Sequence, residues 1–354
     1  MSREADVGIA SGPRKTEIGT MGAKRGSVAS GQGLVGVLRK LYQVKEMGVL
    51  TALVIMSVLM SLASPYFFTA ENIFNVMQSM STIALMAIGE TMVLVAGGLD
   101  LSVGSVLGAS AMLTARLMTY NHINPWLSVV AGIGLGLTFG LINGLIITKV
   151  RINSFITTLG MLSVARGITY LLASGLEGTV ASNIPMRDQG VSFLGAGYIG
   201  PVPFAAVIML SLLLVFSLFM TNTVLGRQIY ATGSNEQAAR LSGVDVDKVR
   251  LFTYVVLGGM CALAGIMSAG LLSTAATNLG VGSELDVIAA AIIGGTSMYG
   301  GEGTVYGAVI GAAIMAIVHN AFVLLGLPLH LQTVTIGLVI ILAVGLDRFR
   351  RSQV

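Results

Sequence analysis

Gly226 to Arg250, GRQIYATGSNEQAARLSGVDVDKVR, is the only long charged interruption in an otherwise apolar chain. Ser234 followed by Gln237 has capping-box spacing, in which two side chains satisfy free N–H groups at a helix start. Gly243 suits the left-handed residue that ends a helix. The stretch therefore predicts one short helix with a small apolar face of Ala238, Ala239 and Leu241. Two readings stand at this point. The helix projects from a membrane as a docking knob for another subunit, or the stretch is an ordinary solvated loop.

Outward from this stretch the chain is apolar in both directions. Of 354 residues, 54% are hydrophobic and only 10% charged, too few charges for a soluble protein of this size. The composition predicts an all-α polytopic membrane protein. Its 46 glycines fit that reading, because small residues let helix backbones approach closely in lipid. The net charge of +4 does not point to nucleic acid, since the basic residues sit at membrane boundaries. The single cysteine, Cys261, excludes an intramolecular disulfide and reads as packing. The three histidines are scattered and form no zinc motif.

Ten apolar stretches approach the roughly 20 residues a helix needs to cross lipid. They lie near 47–64, 73–96, 101–120, 125–148, 152–174, 203–221, 251–271, 284–299, 304–326 and 330–346. Starting inside, alternation places seventeen of the twenty basic residues on one face, in agreement with the positive-inside rule. Both termini are then cytoplasmic. Residues 1–46 read as a disordered cytoplasmic tail, 47–346 as the transmembrane domain and 347–354 as a second tail. Loop 222–250 falls inside and loop 175–202 outside. A faint repeat agrees with this count: LSVGSVL at 101–107 resembles LGVGSEL at 279–285. A similar offset pairs Asn143 with Asn320 and Gly160 with Gly337, as two inverted repeats would.

No motif supplies energy or catalysis. The Gly-rich turn GGTSMYGGEG at 294–303 lacks the Gly-Lys pair of a P-loop and carries Glu302, so it reads as a reversing turn. GGLDLSVGS at 97–105 reads as a tight turn in which Asp100 and Ser102 cap the next helix. Glu284 and Asp286 suit the first turn of a helix. Glu90 and Arg166 lie inside spans, where they pair with each other or serve transport. No catalytic triad, carboxylate pair or metal motif occurs, so neither an enzymatic step nor a cofactor is expected. Asn75, Gln78, Asn143, Thr157 and Thr158 are polar groups within spans, with Phe155 beside them. They suit a path for a neutral polyol, with Phe155 stacking on a sugar face, or interhelical hydrogen bonds.

Four ordered motifs carry a resemblance. They are AGGLDLSVGS at 96–105, GLINGLIITKVRINSFITTLG at 140–160, the loop at 226–249, and SELDVIAAAIIGGTSMYGGEGTVYGAVIG at 283–311. Together they resemble the permease subunit of bacterial ribose-type ABC importers, from about residue 45 to the C-terminus. The N-terminal tail is longer than that family's, and Glu302 stands where some relatives carry a basic residue. The resemblance implies a subunit of about ten spans in the bacterial inner membrane. It implies a homodimer with the path between two copies, an ATPase subunit below, a periplasmic sugar-binding protein above and a monosaccharide substrate. It identifies loop 226–250 as the coupling segment, with Asn235, Glu236, Ala238, Ala239, Arg240, Ser242 and Gly243 in the ATPase cleft. A stand-alone facilitator or channel for small neutral solutes is the alternative.

Overall fold

The computed structural model describes residues 45–174 and 183–351. The expected disordered tail, up to residue 44, and the first part of the outer loop, 175–182, lie outside the described residues. The rest is an all-α bundle. Its helices are α1 (Lys45–Ala63), α2 (Ala70–Val95), α3 (Val103–Thr119), α4 (Pro125–Leu145) and α5 (Ser154–Ala173). They continue as α6 (Gln189–Ala196), α7 (Phe204–Asn222), α8 (Val224–Ser234), α9 (Glu236–Leu241) and α10 (Val246–Leu272). Last come α11 (Ser283–Ile293), α12 (Val305–Leu324) and α13 (Leu329–Arg351).

The helix starts follow from local chemistry. Thr69, Asn124, Asn153 and Thr304 turn side-chain oxygens onto the free N–H groups of α2, α4, α5 and α12. Pro125 occupies the first turn of α4, where its missing N–H removes no helical bond. α4 ends in a π-helical turn, Ile146–Val150, followed by Arg151 in the left-handed region at φ 63°.

Among the described residues six helices are long and apolar enough to cross a membrane: α2, α4 with its π turn, α5, α7, α10 and α12. The apolar parts of α1, α3 and α13 are shorter. The expected span at 284–299 is corrected by the structure. α11 stops at Ile293, and its 11 residues cover roughly 16 Å of a hydrocarbon core about 30 Å thick. Gly294 and Gly295 end it, the latter at φ 90°, and the chain turns back through 296–304 into α12.

α2 packs on α12 and on α10, and α10 packs on α4. α3 lies against α4, α5 and α10, while α11 lies against α12, α13 and α2. Two non-helical turns enter this bundle from opposite ends. The first, 96–102, folds back along α2 until the Asp100 N–H donates to Glu90 Oε1 at 3.1 Å. The second leaves β4 (Thr274–Ala276), which pairs antiparallel with β1 (Asn183–Pro185). Pro185 accepts from Thr119 at the end of α3, so the β1–β4 pair sits at that level. From there the chain descends to Gly280, which lies against Gly104 in the first turn of α3. A Cβ on either glycine would enter the other's carbonyl oxygen. Between Tyr198–Ile199 (β2) and Val202–Pro203 (β3) a tight hairpin leads into α7.

The α4–α10 crossing is similarly close, since a Cβ on Gly258 would strike the Gly136 carbonyl. Gly134, on the other face of α4, has nothing within 4 Å of such an atom. Gly258→Val is therefore expected to destabilise the protein by about 1–3 kcal/mol or more through overpacking. Gly134→Ala is expected to leave stability equal or up to about 1 kcal/mol higher, because alanine favours a helix over glycine. Thermal unfolding of the two purified variants in detergent checks both.

Candidate functional site

The charged stretch between α7 and α10 folds as an elbow of two helices rather than one. Thr223 caps α8 through a bond from the Gly226 N–H of 3.0 Å. Ser234, expected to open a helix, is the last residue of α8. Asn235 takes the cap instead, its Oδ1 accepting from the Ala238 N–H at 2.9 Å. Its backbone is extended at φ −158°, which bends the chain between α8 and α9. α9 ends as the sequence predicts, with Gly243 left-handed at φ 84°. The Gly243 N–H donates to Arg240 O and the Val244 N–H to Ala239 O, closing the last turn in a Schellman motif. Asp245 then caps α10 through Lys248 N–H at 3.1 Å. The expected apolar face divides. Ala239 is buried, Ala238 is exposed, and Leu241 is 90% exposed at the tip.

An ion network ties this elbow to the bundle. Arg240 Nη2 contacts Glu236 Oε1 at 3.0 Å and Asp247 Oδ1 at 2.6 Å. Arg250 Nη2 reaches Glu236 Oε2 at 2.8 Å, while its Nε donates to Ala96 O at the end of α2 at 3.3 Å. Lys149 on the π turn stands 3.9 Å from the other Asp247 oxygen. Partial burial opposes ionisation of Glu236, but the bond from Arg240 and the charge and bond of Arg250 outweigh it, so its carboxyl titrates below the usual range. Hydrogen bonds to Asp247 and then Glu236 hold the Arg240 guanidinium charged more firmly than usual. The Lys248 ammonium and N–H draw Asp245 below the ordinary carboxylate range.

The network walls a cavity of about 490 Å³, lined also by Gly97, Thr148, Arg151, Ser154 and Tyr254. The Gly-rich turn at 294–303 seats on α8. Gly301 N–H donates to Val95 O at 2.9 Å, and Tyr230 Oη donates to Gly303 O at 2.8 Å. A Cβ on Gly233 would collide with Val95 O, so the elbow, the end of α2 and this turn meet backbone to backbone.

The six polar or aromatic residues expected along a path fall in separate places. Asn143 is buried, and its Nδ2 donates to Asp100 Oδ2 and Ser102 Oγ, both at 3.1 Å. Thr158, also buried, donates to Ser154 O at 2.9 Å and reaches Leu99 O at 3.4 Å. Both therefore pack against the turn at 96–102. Ser102 stands at the N-cap of α3 but, contrary to expectation, turns its hydroxyl onto Asp100 rather than onto the helix. Thr157 is buried, and Phe155 is half exposed on α5. Gln78 donates to Gly195 O on α6. Asn75 lines a second cavity of about 450 Å³ with Glu71, Asn72, Ser79, His319 and Asn320.

The expected Glu90–Arg166 pair does not form. Glu90 accepts from Asp100 N–H, and Arg166 Nη1 donates to the Thr277 and Leu279 carbonyls at 3.0 and 2.9 Å. Asp286, read from sequence as a helix-start charge, also contacts His319 Nε2 through Oδ1 at 3.2 Å. Their separation of 33 residues gives no local signal of that contact. Among the described residues no group of three or more His, Cys, Asp or Glu is placed to hold a metal ion.

Residues 72–344 match the family model described as branched-chain amino acid transport system / permease component. The chain is similar to the ribose import permease protein RbsC of Escherichia coli K12, 38% identical over 298 residues, 84% of this chain and 92% of the relative. It is 36% identical to the RbsC protein of Bacillus subtilis over 88% of this chain and 94% of that one. It is 37% identical to the D-allose transport system permease protein AlsC of E. coli K12, over 83% of this chain and 89% of the relative.

The depressed Glu236 titration sets an expected pH response. A carboxyl whose folded value lies below its unfolded one stabilises fully above the ordinary carboxylate range, and that contribution is lost as pH falls through the folded value. Amide exchange in α9, corrected for intrinsic rate, is expected to stay level between about pH 7 and about pH 5 and to rise in stronger acid. Glu236→Gln is expected to raise it at about pH 7 already, by up to about fivefold, the scale of a half-exposed ion pair. Hydrogen-exchange mass spectrometry of both proteins reads this out.

Proposed function

The chain belongs to the branched-chain amino acid transport system / permease component family, and from that premise we propose that it is the transmembrane subunit of an ATP-binding-cassette importer for a monosaccharide. The observation that carries this reading is the near end-to-end match to permeases named for ribose and for allose. The protein is then a multi-pass component of the bacterial inner membrane. It performs translocation, while a partner ATPase hydrolyses ATP and a periplasmic protein delivers the sugar.

The α8–α9 elbow is the docking element in this reading. Three side-chain caps fix its shape, and the tip presents Leu241, Ala238, Arg240 and Ser242 to the outside. A large apolar side chain so exposed on a charged surface marks a protein contact. Asn235, Glu236, Ala239 and Gly243 hold the tip in place and act on the partner through it. The face bearing Lys149, Arg151, Arg240, Lys248 and Arg250 is cytoplasmic by the positive-inside rule, which puts both termini there.

The inverted repeat and the count of about ten membrane helices belong to the same reading. Exchanging α2 with α10, α3 with α11, α4 with α12 and α5 with α13 maps α2–α12 packing onto α10–α4 and α3–α5 onto α11–α13. In this arrangement α3 and α11 begin deep in the bundle, as discontinuous helices of transporters do. Gln78, Asn143 and Thr158 brace turns and helix contacts, Thr157 is buried beside them, and Asn75 and Phe155 stay open to a route completed by a second copy of the chain.

Leu241→Asp, and separately Arg240→Glu, are expected to weaken co-purification with the cognate ATPase about tenfold or more, as loss of an interface anchor does. ATP-dependent sugar uptake by the reconstituted importer should fall with it. Saturable sugar flux through the chain alone in liposomes would favour a stand-alone facilitator instead.

A further inference from the structure

We propose that Arg166 and Glu284 form a subsite for the hydroxyl groups of the sugar, partway along the translocation route; this rests on the importer reading above. Arg166 lies on α5 seven residues before its end at Ala173, roughly 10 Å inside that end of the helix. Glu284 opens α11 directly after the non-helical segment that reaches Gly280. The two side chains converge on one face of α3, where two glycines make room for them. A Cβ on Gly104 would lie 2.8 Å from Glu284 Oε2, and one on Gly108 would lie 3.1 Å from Arg166 Nη1. Glu284 lies within Coulombic reach of Arg166 but forms no ion pair or hydrogen bond with any described residue.

Lipid cannot cover this face. A charged side chain facing hydrocarbon costs about 2.5–3.5 kcal/mol even on the most lenient scale. Non-helical backbone at membrane depth persists only where protein buries it or where it lines a water-filled cavity. Arg166 and Glu284 are half-buried, Asn278 between the two carbonyls that Arg166 holds is exposed, and the 277–282 backbone is non-helical. The face therefore borders water.

Its hydrogen-bonding capacity fits a polyol. Both hydrogen bonds of Arg166 to described residues use Nη1, so Nε and Nη2 point no hydrogen at any described acceptor. A guanidinium offers five donors in a fixed fork, and an ionised carboxylate accepts on two oxygens. A sugar hydroxyl both donates and accepts, so vicinal hydroxyls bridge a spare donor pair and a spare acceptor pair at once. The two charges offset each other, which leaves the site suited to a neutral solute rather than an ion.

Two measurements on the full chain test this. The first is labelling of Asn278→Cys in membranes by a charged, water-soluble methanethiosulfonate. The buried native Cys261 sets the background, and Leu214→Cys on the exposed apolar face of α7 is the lipid-facing control. Rapid labelling is expected; a rate no higher than that of Leu214→Cys, or disulfide-linked pairs of chains, overturns the proposal by placing lipid or a protein contact there. The second is ATP-driven uptake by the importer reconstituted with its ATPase and binding protein. Glu284→Gln is expected to lower uptake about ten- to a hundredfold, the loss of one or two bonds to a charged group, with ATPase co-purification unchanged and partial recovery in Glu284→Asp. Unchanged uptake, or uptake lost together with assembly, overturns it. Absence of ATP-driven uptake by the wild-type chain would overturn the importer reading instead, and the labelling result stands apart from that outcome.

Discussion

Backbone inside lipid must find its hydrogen-bond partners within the protein, and this fold meets that constraint at the contact of Gly104 with Gly280. Two turns that abandon helical bonding reach that contact from opposite ends of the bundle. Each needs side chains to take over the bonds the helix no longer makes. Tyr254 and Thr158 serve Leu99 O in the first turn, and Arg166 serves Thr277 O and Leu279 O in the second. Some of the polar residues buried in this membrane protein serve those duties, while Ser81, Thr114, Ser128, Thr148 and Thr169 bond carbonyls of their own helices. Asn143, Asp100 and Ser102 form one closed cluster because the Asp100 side chain needs donors once it lies beside Glu90. Close backbone approach and buried polarity are thus one feature, the glycines allowing the turns to enter and the side chains allowing them to stay.

The basic face is built on a different principle. Its ties are ion pairs on half-exposed side chains, each worth at most about 1 kcal/mol. Glu236 joins Arg240 and Arg250, and Arg250 in turn holds the Ala96 carbonyl at the end of α2. A pull on α9 therefore reaches α2 and the turn at 96–102 through two contacts. The rigid part of the joint is backbone: Gly233 against Val95 O, and Gly301 N–H on that same oxygen. The elbow is thus held by weak side-chain ties around one close backbone contact.

Much of this was legible in the sequence. Nine apolar helices among the described residues begin within about five residues of stretches read from hydropathy, because apolarity is a local property; six of them are long enough to cross a membrane. Gly243 ends its helix as read, since a left-handed residue announces itself by type. The cap before α9 was misread by one residue. Ser234 and Asn235 are both good caps, and the choice fell to Asn235 because α8 continues through Ser234 to keep Gly233 against Val95. The span at 284–299 overruns the end of α11 at Ile293 because it takes in the first residues of the Gly-rich turn, which the sequence itself marks as a reversal. The Asp286–His319 and Arg166–carbonyl contacts join residues far apart in sequence, where no periodicity or spacing carries a signal. Polar residues in spans stand out in the sequence, yet their type alone does not distinguish a brace from a binding group.

That distinction comes from burial. At the turn near the basic face, Asp100 accepts from Ser102 N–H, Ser102 Oγ and Asn143 Nδ2, and the cluster is sealed from solvent. At the opposite turn one nitrogen of one side chain holds two carbonyls, and a carboxylate beside it holds nothing among the described residues. Sites related by the proposed exchange of helices have thus diverged. One is sealed from solvent, with Glu90 Oε2 and Asn143 Oδ1 left without partners inside it, and its bonds fix where α3 begins. The other keeps donors and acceptors in reserve where non-helical backbone borders water. The two sites therefore suit different tasks: a sealed cluster admits no solute, and a half-exposed one offers a passing solute the bonds it gave up on leaving water.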